Sequence, residues 1–414
     1  MKRKQALKVV MVLVLVVAAV GLTQLGGKAG AAGGSVKLSF CPDLSGPYGV
    51  LQRHIFQGWK DYLDYVNEEL GGVKGHRVEY KWGDSHMEIA KELAFYEEAK
   101  SWGTMIHACG YTGGALALKD KFKRDKIPQV GVPANAALAE PDSYSYMIWG
   151  IYEDQVLAQL KWFIDNKPKE MTNKAAYIHI DNAAGRAPCT DKAYAYAKQI
   201  IGADVVLTKF MPPAGGVDTT PILNEVKNAG ANFVASVSVS PSQATLLKDA
   251  SRLGIMARKP FQAGKIMFCD MPATERDLVR LIGNDVEGMM YVTYGVSFDE
   301  DLKGVQFAKD LQIKRRGKVD SDDPMYFLGL TMARIHVKAL ERTLDKLPYE
   351  QLNGEVIKKH GLDGLTLDSD VWSDVDFTKG TYGAKKVRVY IVQDLKAKPA
   401  GGWLANPDLY DLRK

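Results

Sequence analysis

The residues of this 414-residue chain that have the means to do chemistry are scattered rather than grouped. Asp43 and Asp181 each stand at the end of an apolar run that reads as a strand, where two carboxylates can face one cleft as an acid/base pair. No nucleophile or metal set accompanies them. GxSxG, HExxH and GxxxxGKS/T are missing, and no GxGxxG opens a helix after the first strand. The seven histidines are dispersed, and His107 falls inside a strand, where a packed core residue is the simpler reading. Four cysteines, Cys41, Cys109, Cys189 and Cys269, are widely spaced and form no CxxC, so neither a disulfide scaffold nor a zinc site of that kind is indicated. Cys41 and Cys109 end two strands expected to be neighbours; a bridge and a pair of buried thiols both fit. The expectation is a protein without catalytic residues, cofactor or metal.

What remains is chemistry by backbone. Thr104 to Ala137 reads as strand, glycine-containing turn, helix, strand and open loop. Gly110 stops the apolar strand Met105 to Ala108, and a helix beginning near Thr112 leaves its first N–H groups without intrahelical partners. A carboxylate or carbonyl oxygen can dock there. The second strand, Ile127 to Val132, runs into Pro133-Ala134-Asn135-Ala136, small residues that leave room for a ligand. Ligands of open α/β sheets gather beyond the carboxyl ends of strands, where both of these segments end.

The elements around this stretch alternate strand and helix without a hairpin signal, the pattern of a doubly wound parallel sheet. Strand Val36 to Cys41 and a helix from Leu51 to the Gly71-Gly72 stop lead to strand Arg77 to Trp82 and helix Met87 to Ser101. Near Trp149 the pattern restarts, with strands expected at Ala175 to Asp181, Val205 to Phe210, Phe233 to Val237, Ile266 to Phe268 and Gly288 to Tyr294. Helices then follow near Val305 to Arg315, Met325 to Leu344 and Tyr349 to Lys359, before strand Lys386 to Val392. At this length two domains are expected: 32–150 plus 297–366 as lobe 1, and 151–296 plus 367–414 as lobe 2, with crossovers near 150, 295 and 365.

Lys2, Arg3, Lys4 and Lys8 precede the apolar run Val9 to Leu22, and the small residues Ala29-Gly30-Ala31 follow, the pattern of a signal peptide spanning 1–31. A retained anchor is the competing reading, although the run is shorter than the roughly 20 residues that span a bilayer. These 31 residues hold five of the 54 Lys and Arg and no acid, so the rest carries 54 − 5 = 49 cations against 49 acids. A near-neutral mature chain excludes nucleic acid as the expected partner.

The order of these pieces, with Leu44-Ser45-Gly46-Pro47, Gly71-Gly72-Val73-Lys74-Gly75, Asp218-Thr219-Thr220-Pro221 and Val292-Thr293-Tyr294, resembles the periplasmic leucine/isoleucine/valine-binding protein family, solute-binding subunits of ABC transporters. The resemblance implies two Rossmann-like α/β lobes with parallel-type sheets, joined by a three-crossover hinge, that close on a small solute. It implies a periplasmic monomer that delivers its ligand to an ABC-transporter permease. The family's ligand-clasping turn falls on Gly110, Tyr111 and Thr112, and its next contact loop on Ala134 and Ala136, with Asn135 between. Ala136 replaces an expected threonine. In the second lobe the contacts fall on Ala184, beside Gly185 and Arg186, and on Val239 with Ser238. The acid expected to hold an ammonium falls near Lys265, a cation that would repel it.

Lys265 and Arg186 would instead suit a second anionic group or a carbonyl. Tyr48, Tyr111 and Tyr294 suit an apolar or aromatic pocket. The expected ligand is thus an organic acid or amino-acid-like compound with an apolar or aromatic body. A ligand-sensing receptor domain of the same fold is the alternative, and a hydrolase using the cleft carboxylates a more distant one.

Overall fold

The computed structural model describes residues 33–407 apart from 141 and 273. The leader expected over 1–31 lies outside the described residues, and no described helix is long and apolar enough to cross a membrane.

Lobe 1 is built on β1 (Ser35–Cys41), β2 (Arg77–Trp82), β3 (Ile106–Cys109), β4 (Gln129–Gly131) and β5 (Ser145–Met147), all parallel, in the order β2-β1-β3-β4-β5. Short fully buried strands such as β3 are what a sheet covered on both faces requires. Helices α1 (Gly49–Glu69), α2 (Ile89–Trp102) and α3 (Thr112–Asp125) make the crossovers. Gly71 and Gly72, both at positive φ, end α1 and turn the chain toward β2.

Lobe 2 repeats the plan. After α4 (Tyr152–Asn166) come β6 (Lys174–Ile180), α5 (Asp191–Tyr196), β7 (Asp204–Met211), α6 (Thr220–Asn228), β8 (Phe233–Ala235), α7 (Ser240–Arg252), β9 (Met267–Asp270), α8 (Glu275–Ile282) and β10 (Met290–Thr293). Their order, β7-β6-β8-β9-β10, matches that of lobe 1 strand for strand.

Helices α9 (Lys303–Arg316) and α10 (Pro324–Leu344) then return to lobe 1 and pack against α1. Asp323 caps α10 by accepting from Met325 N at 2.9 Å, and Pro324 opens its first turn. The buried α10 lies against α1 so closely that Gly329 touches the Ile55 carbonyl and Gly58 that of Tyr326.

A two-residue ladder, β11 (Thr366–Leu367) with β12 (Val375–Asp376), precedes β13 (Lys386–Gln393), β14 (Lys396–Pro399) and β15 (Leu404–Ala405). β13 joins the second sheet antiparallel to β10, with β14 beside it, so that sheet is mixed rather than wholly parallel. The helix expected over Tyr349 to Lys359 is broken into a 3-10 turn, a short α-turn and a wider turn. Gly354 at its centre sits against the Lys126 carbonyl, where a side chain would not fit.

The three passages between lobes are tied at Trp372. Its indole Nε1 donates to Ile148 O on the first passage at 3.2 Å, and its ring covers Gly295 on the second. Ser373 N donates to Tyr294 O, and Met147 N to Thr381 O at 2.7 Å. This packing accounts for Tyr294, which faces Gly150 and Asn406 in the hinge and not the cleft where an aromatic lining was expected.

Candidate functional site

In each sheet the strand order reverses beside the first strand, between β1 and β3 and between β6 and β8. At such a switch point adjacent connections leave in opposite directions and open a crevice. The two crevices face one another across a narrow cleft, partly open to solvent.

From lobe 1, the segment after β1 folds back through Asp43, which accepts from Gly46 N at 2.6 Å and Tyr48 N at 2.8 Å. Burial raises the Asp43 pKa, and those two backbone donors oppose the rise. It is therefore a turn-builder that aims Tyr48 into the cleft, and not one half of an acid/base pair. Its imagined partner, Asp181, stands half-exposed and is bonded to Arg186 at 2.6 Å.

After β3, Gly110, Tyr111 and Thr112 line the cleft. Tyr111 is the N-cap of α3 but contributes no side-chain cap, so the first-turn N–H groups of that helix point out of it uncapped. The Gly110 N–H, expected to join them, is instead bonded to Cys41 O at 2.9 Å, a ladder bond that continues the pairing of β1 with β3. Gln52, on α1, fixes the turn from behind: its amide donates to Gly110 O and its oxygen accepts from Asp43 N at 2.9 Å.

From lobe 2 come Ile180, Ala184, Val237, Ser238 and Pro272, and from the first hinge passage Trp149 and Tyr152. Among the bonds between the lobes, two lie at the cleft itself: Asn182 Nδ2 donates to Tyr48 OH at 3.0 Å, and the hydroxyls of Thr112 and Tyr152 share a bond of 2.7 Å. Burial pushes the Tyr152 phenol up to about 12, against the opposing bond from Thr112, and raises that of Tyr48 as well. Both stay neutral donors at ordinary pH.

Of the residues selected from sequence, Tyr48, Gly110, Tyr111, Thr112 and Ser238 thus meet in the cleft, with Ala184 beside them. The others lie elsewhere. Val239 is buried behind Ser238 at the start of α7. Ala134 is buried and accepts from Tyr152 N at 3.1 Å. Asn135 accepts from Ala137 N at 2.9 Å, capping the surface turn that begins at Ala136.

Two cations expected at the ligand are not among the lining residues. Arg186 is exposed, paired with Asp181 and laid over the Phe210 ring at 4.5 Å. Lys265 precedes β9, at the end of the strand away from the cleft, where its ammonium donates to Gly254 O. The cleft end of β9 carries Asp270, which is buried behind Ser238 with Ser238 Oγ 3.3 Å from its Oδ2.

Among the described residues, no charged side chain lines the cleft. Aromatic and aliphatic surface makes up most of it, with hydroxyl, amide and main-chain N–H groups at one end. Sequence reasoning missed Gln52, Trp149, Tyr152 and Asn182. Trp149 and Tyr152 flank Gly150 at the expected crossover, and that aromatic pair was the available signal.

The chain matches the family described as "Periplasmic binding protein" over residues 35–397. It belongs to that family. Solved structures that it resembles include solute-binding proteins of ABC transporters. A branched-chain amino acid ABC transporter protein from Thermus thermophilus with bound valine is 22% identical, with 90% of this chain and 97% of that one covered and a TM-score of 0.78. A fatty acid ABC transporter substrate-binding protein from Thermomonospora curvata is 19% identical, covering 91% and 94% at a TM-score of 0.76. A solute-binding protein from R. palustris in complex with 4-hydroxybenzoate is 19% identical, covering 91% and 99% at 0.74. No curated protein sequence matches. At these identities the structural likeness speaks for the two-lobed fold, and the family for solute binding rather than catalysis.

Proposed function

We propose that this chain is the exported, periplasmic, monomeric solute-binding subunit of an ABC importer. It captures a monocarboxylate with an apolar or aromatic body between its lobes and delivers it to a membrane permease. The observation that carries this reading is the uncapped N-terminus of α3, which opens into a cleft lined by aromatic and aliphatic side chains and no charged one. The helix dipole and free N–H groups favour a carboxylate there, and the remaining lining favours an apolar body. Without a lining cation, a second carboxylate would go unpaired, so dicarboxylates are expected to bind poorly.

The 4-hydroxybenzoate and fatty acid named for two of the structural neighbours are compounds of this class, which supports it. A second reading, an amino acid such as the valine of the third neighbour, has one observation in its favour: Asp270 stands one layer behind Ser238.

A thermal-shift screen of the chain against aromatic acids, aliphatic acids, amides, dicarboxylates and amino acids separates these readings. A ligand at ~100 times its dissociation constant adds about 2.7 kcal/mol of stability. Simple monocarboxylates are expected to stabilise most and to be recovered unchanged. Stabilisation by amino acids alone, abolished by Asp270→Asn, would transfer the assignment to the second reading. Chemical turnover of any hit would remove both.

A further inference from the structure

We infer that lobe 1 contains a structural metal site beneath the ligand turn, in which Glu92, His107, Cys109 and Cys41 hold one borderline-soft divalent cation of the Zn²⁺ class. The inference is independent of what binds in the cleft.

His107 and Cys109 are two residues apart on β3 and so project from the same face of the sheet. Cys41 is the register partner of Cys109 on β1, and Glu92 reaches the same point from α2. Donor atoms of Glu92, His107 and Cys109 lie within 4.8 Å of one another, and all three residues are buried. Both thiols face the Glu92 carboxylate.

Outside the cluster, the Glu92 carboxylate and the inward-facing nitrogen of His107 have no partner among the described residues. Neither oxygen of Glu92 and not Nε2 of His107 has a hydrogen bond of ordinary geometry, although both residues are wholly inaccessible to solvent. The nearest approach between them is 3.5 Å, and His107 is the one basic side chain among the described residues that pairs with this carboxylate. A carboxylate buried with only thiols and a long imidazole contact for company, and no full counter-charge, is heavily penalised, and a cation between these groups removes the penalty.

The imidazole is also held as metal-bound imidazoles are. Its Nδ1 is 2.8 Å from Ser39 Oγ, which is in turn 2.9 Å from Thr104 Oγ1, so Nε2 is turned toward Glu92. Space for the carboxylate is made by Gly114, where a Cβ would come within 2.6 Å of Glu92 Cγ.

Two thiols, one imidazole and one carboxylate suit zinc-like ions at about 2.0–2.3 Å, and thiols disfavour magnesium and calcium. Four protein ligands with no exposure make a structural site rather than a catalytic one. Its effect would be to tie β1, β3 and α2 together directly under Gly110 and Tyr111.

The test uses the full chain, expressed with its leader and purified without chelator. Elemental analysis is expected to find zinc at one ion per chain, with the thiols of Cys41 and Cys109 protected from alkylation until a chelator is added. Replacement by cobalt should give a thiolate-to-cobalt charge-transfer band. Cys109→Ser and Glu92→Gln should each lower retained metal at least about tenfold, while Cys269→Ser, which removes a buried thiol in the other lobe, keeps it. Wild-type protein that takes up neither zinc nor cobalt would overturn the site, and so would a Cys41–Cys109 disulfide in an unreduced peptide map. These two readouts on the unaltered chain decide the matter even if a variant fails to fold. Metal retained equally by all variants would likewise overturn it.

Discussion

Replacing Thr112 by Val tests the clasp at its most constrained atom. Thr112 is 3% exposed and its hydroxyl shares a 2.7 Å bond with that of Tyr152, itself 6% exposed, so the bond joins the start of α3 in lobe 1 to the start of α4 beyond the hinge. Valine keeps the shape of threonine but offers neither donor nor acceptor. Closing the lobes on ligand then buries the Tyr152 hydroxyl without its partner, at a cost of about 1–3 kcal/mol. Since 1.4 kcal/mol is tenfold, the dissociation constant for the best acid from the stabilisation screen should rise by a factor of roughly 5–150. Tyr152→Phe removes the other partner and should cost less, because the Thr112 hydroxyl can still turn to the ligand. The double variant should cost less than the sum of the two, by about 0.5–3 kcal/mol of coupling. Calorimetric titration of all four proteins measures the cycle, with denaturant melts to show that the folds are intact. Affinities within twofold of wild type in both single variants, or strictly additive costs, would show that this bond does not report closure on the ligand.

Three further outcomes are expected. Gly329→Ala forces a methyl group onto the Ile55 carbonyl, so α10 and α1 must separate; a fall of about 1–3 kcal/mol should appear as a lower urea midpoint with unchanged slope. His54 on α1 meets Asp277 on α8 at 3.4 Å while Ser321 holds its other nitrogen at 2.6 Å. Burial opposes its charge, but the bond to Asp277 and the nearby Asp323 outweigh this and raise its pKa; Asp323 is itself raised to about 6, by burial first and then by Asp277. Both groups bind protons more readily in the folded, closed molecule. The stability contributed by His54 is therefore full below its ordinary pKa of about 6.5 and is lost as pH rises through its higher folded value, while that linked to Asp323 declines between about pH 4 and 6. Melting temperatures measured from pH 5.5 to 8 should fall in the wild type, and His54→Gln should flatten the slope; an unchanged slope would refute the coupling. Arg186→Ala and Lys265→Ala, finally, should each change ligand affinity by less than about twofold, since both side chains are paired on the surface; a tenfold loss in either would place a cation at the ligand after all.

Much of the architecture was legible because local rules wrote it. β2 begins and ends where its β-branched and aromatic alternation does, at Arg77 and Trp82. The stop at Gly71-Gly72 and the α3 start at Thr112 follow from backbone freedom and from the break after Gly110. Elements stabilised chiefly by distant partners were harder to read. β5 has three residues and exists because β4 offers it an edge, and the antiparallel placement of β13 rests on β10, far earlier in the chain.

The amino-acid order alone determined the alternation of strands and helices, the restart near Trp149, the near-neutral charge beyond residue 31 and the uncapped helix start at the third strand. These depend on neighbours a few residues apart, which the chain states directly. Which side chains meet in the cleft was decided only by tertiary structure. Lys265 and Asp270 differ by five positions, about 17 Å along an extended strand, and that distance carries the chain from the outer rim of the second sheet to its cleft end. The same holds for Cys41, Glu92, His107 and Cys109, which converge because β1 and β3 pair in one register and α2 crosses above them. Periodicity sets which face a residue takes, but register and strand order set what stands opposite it.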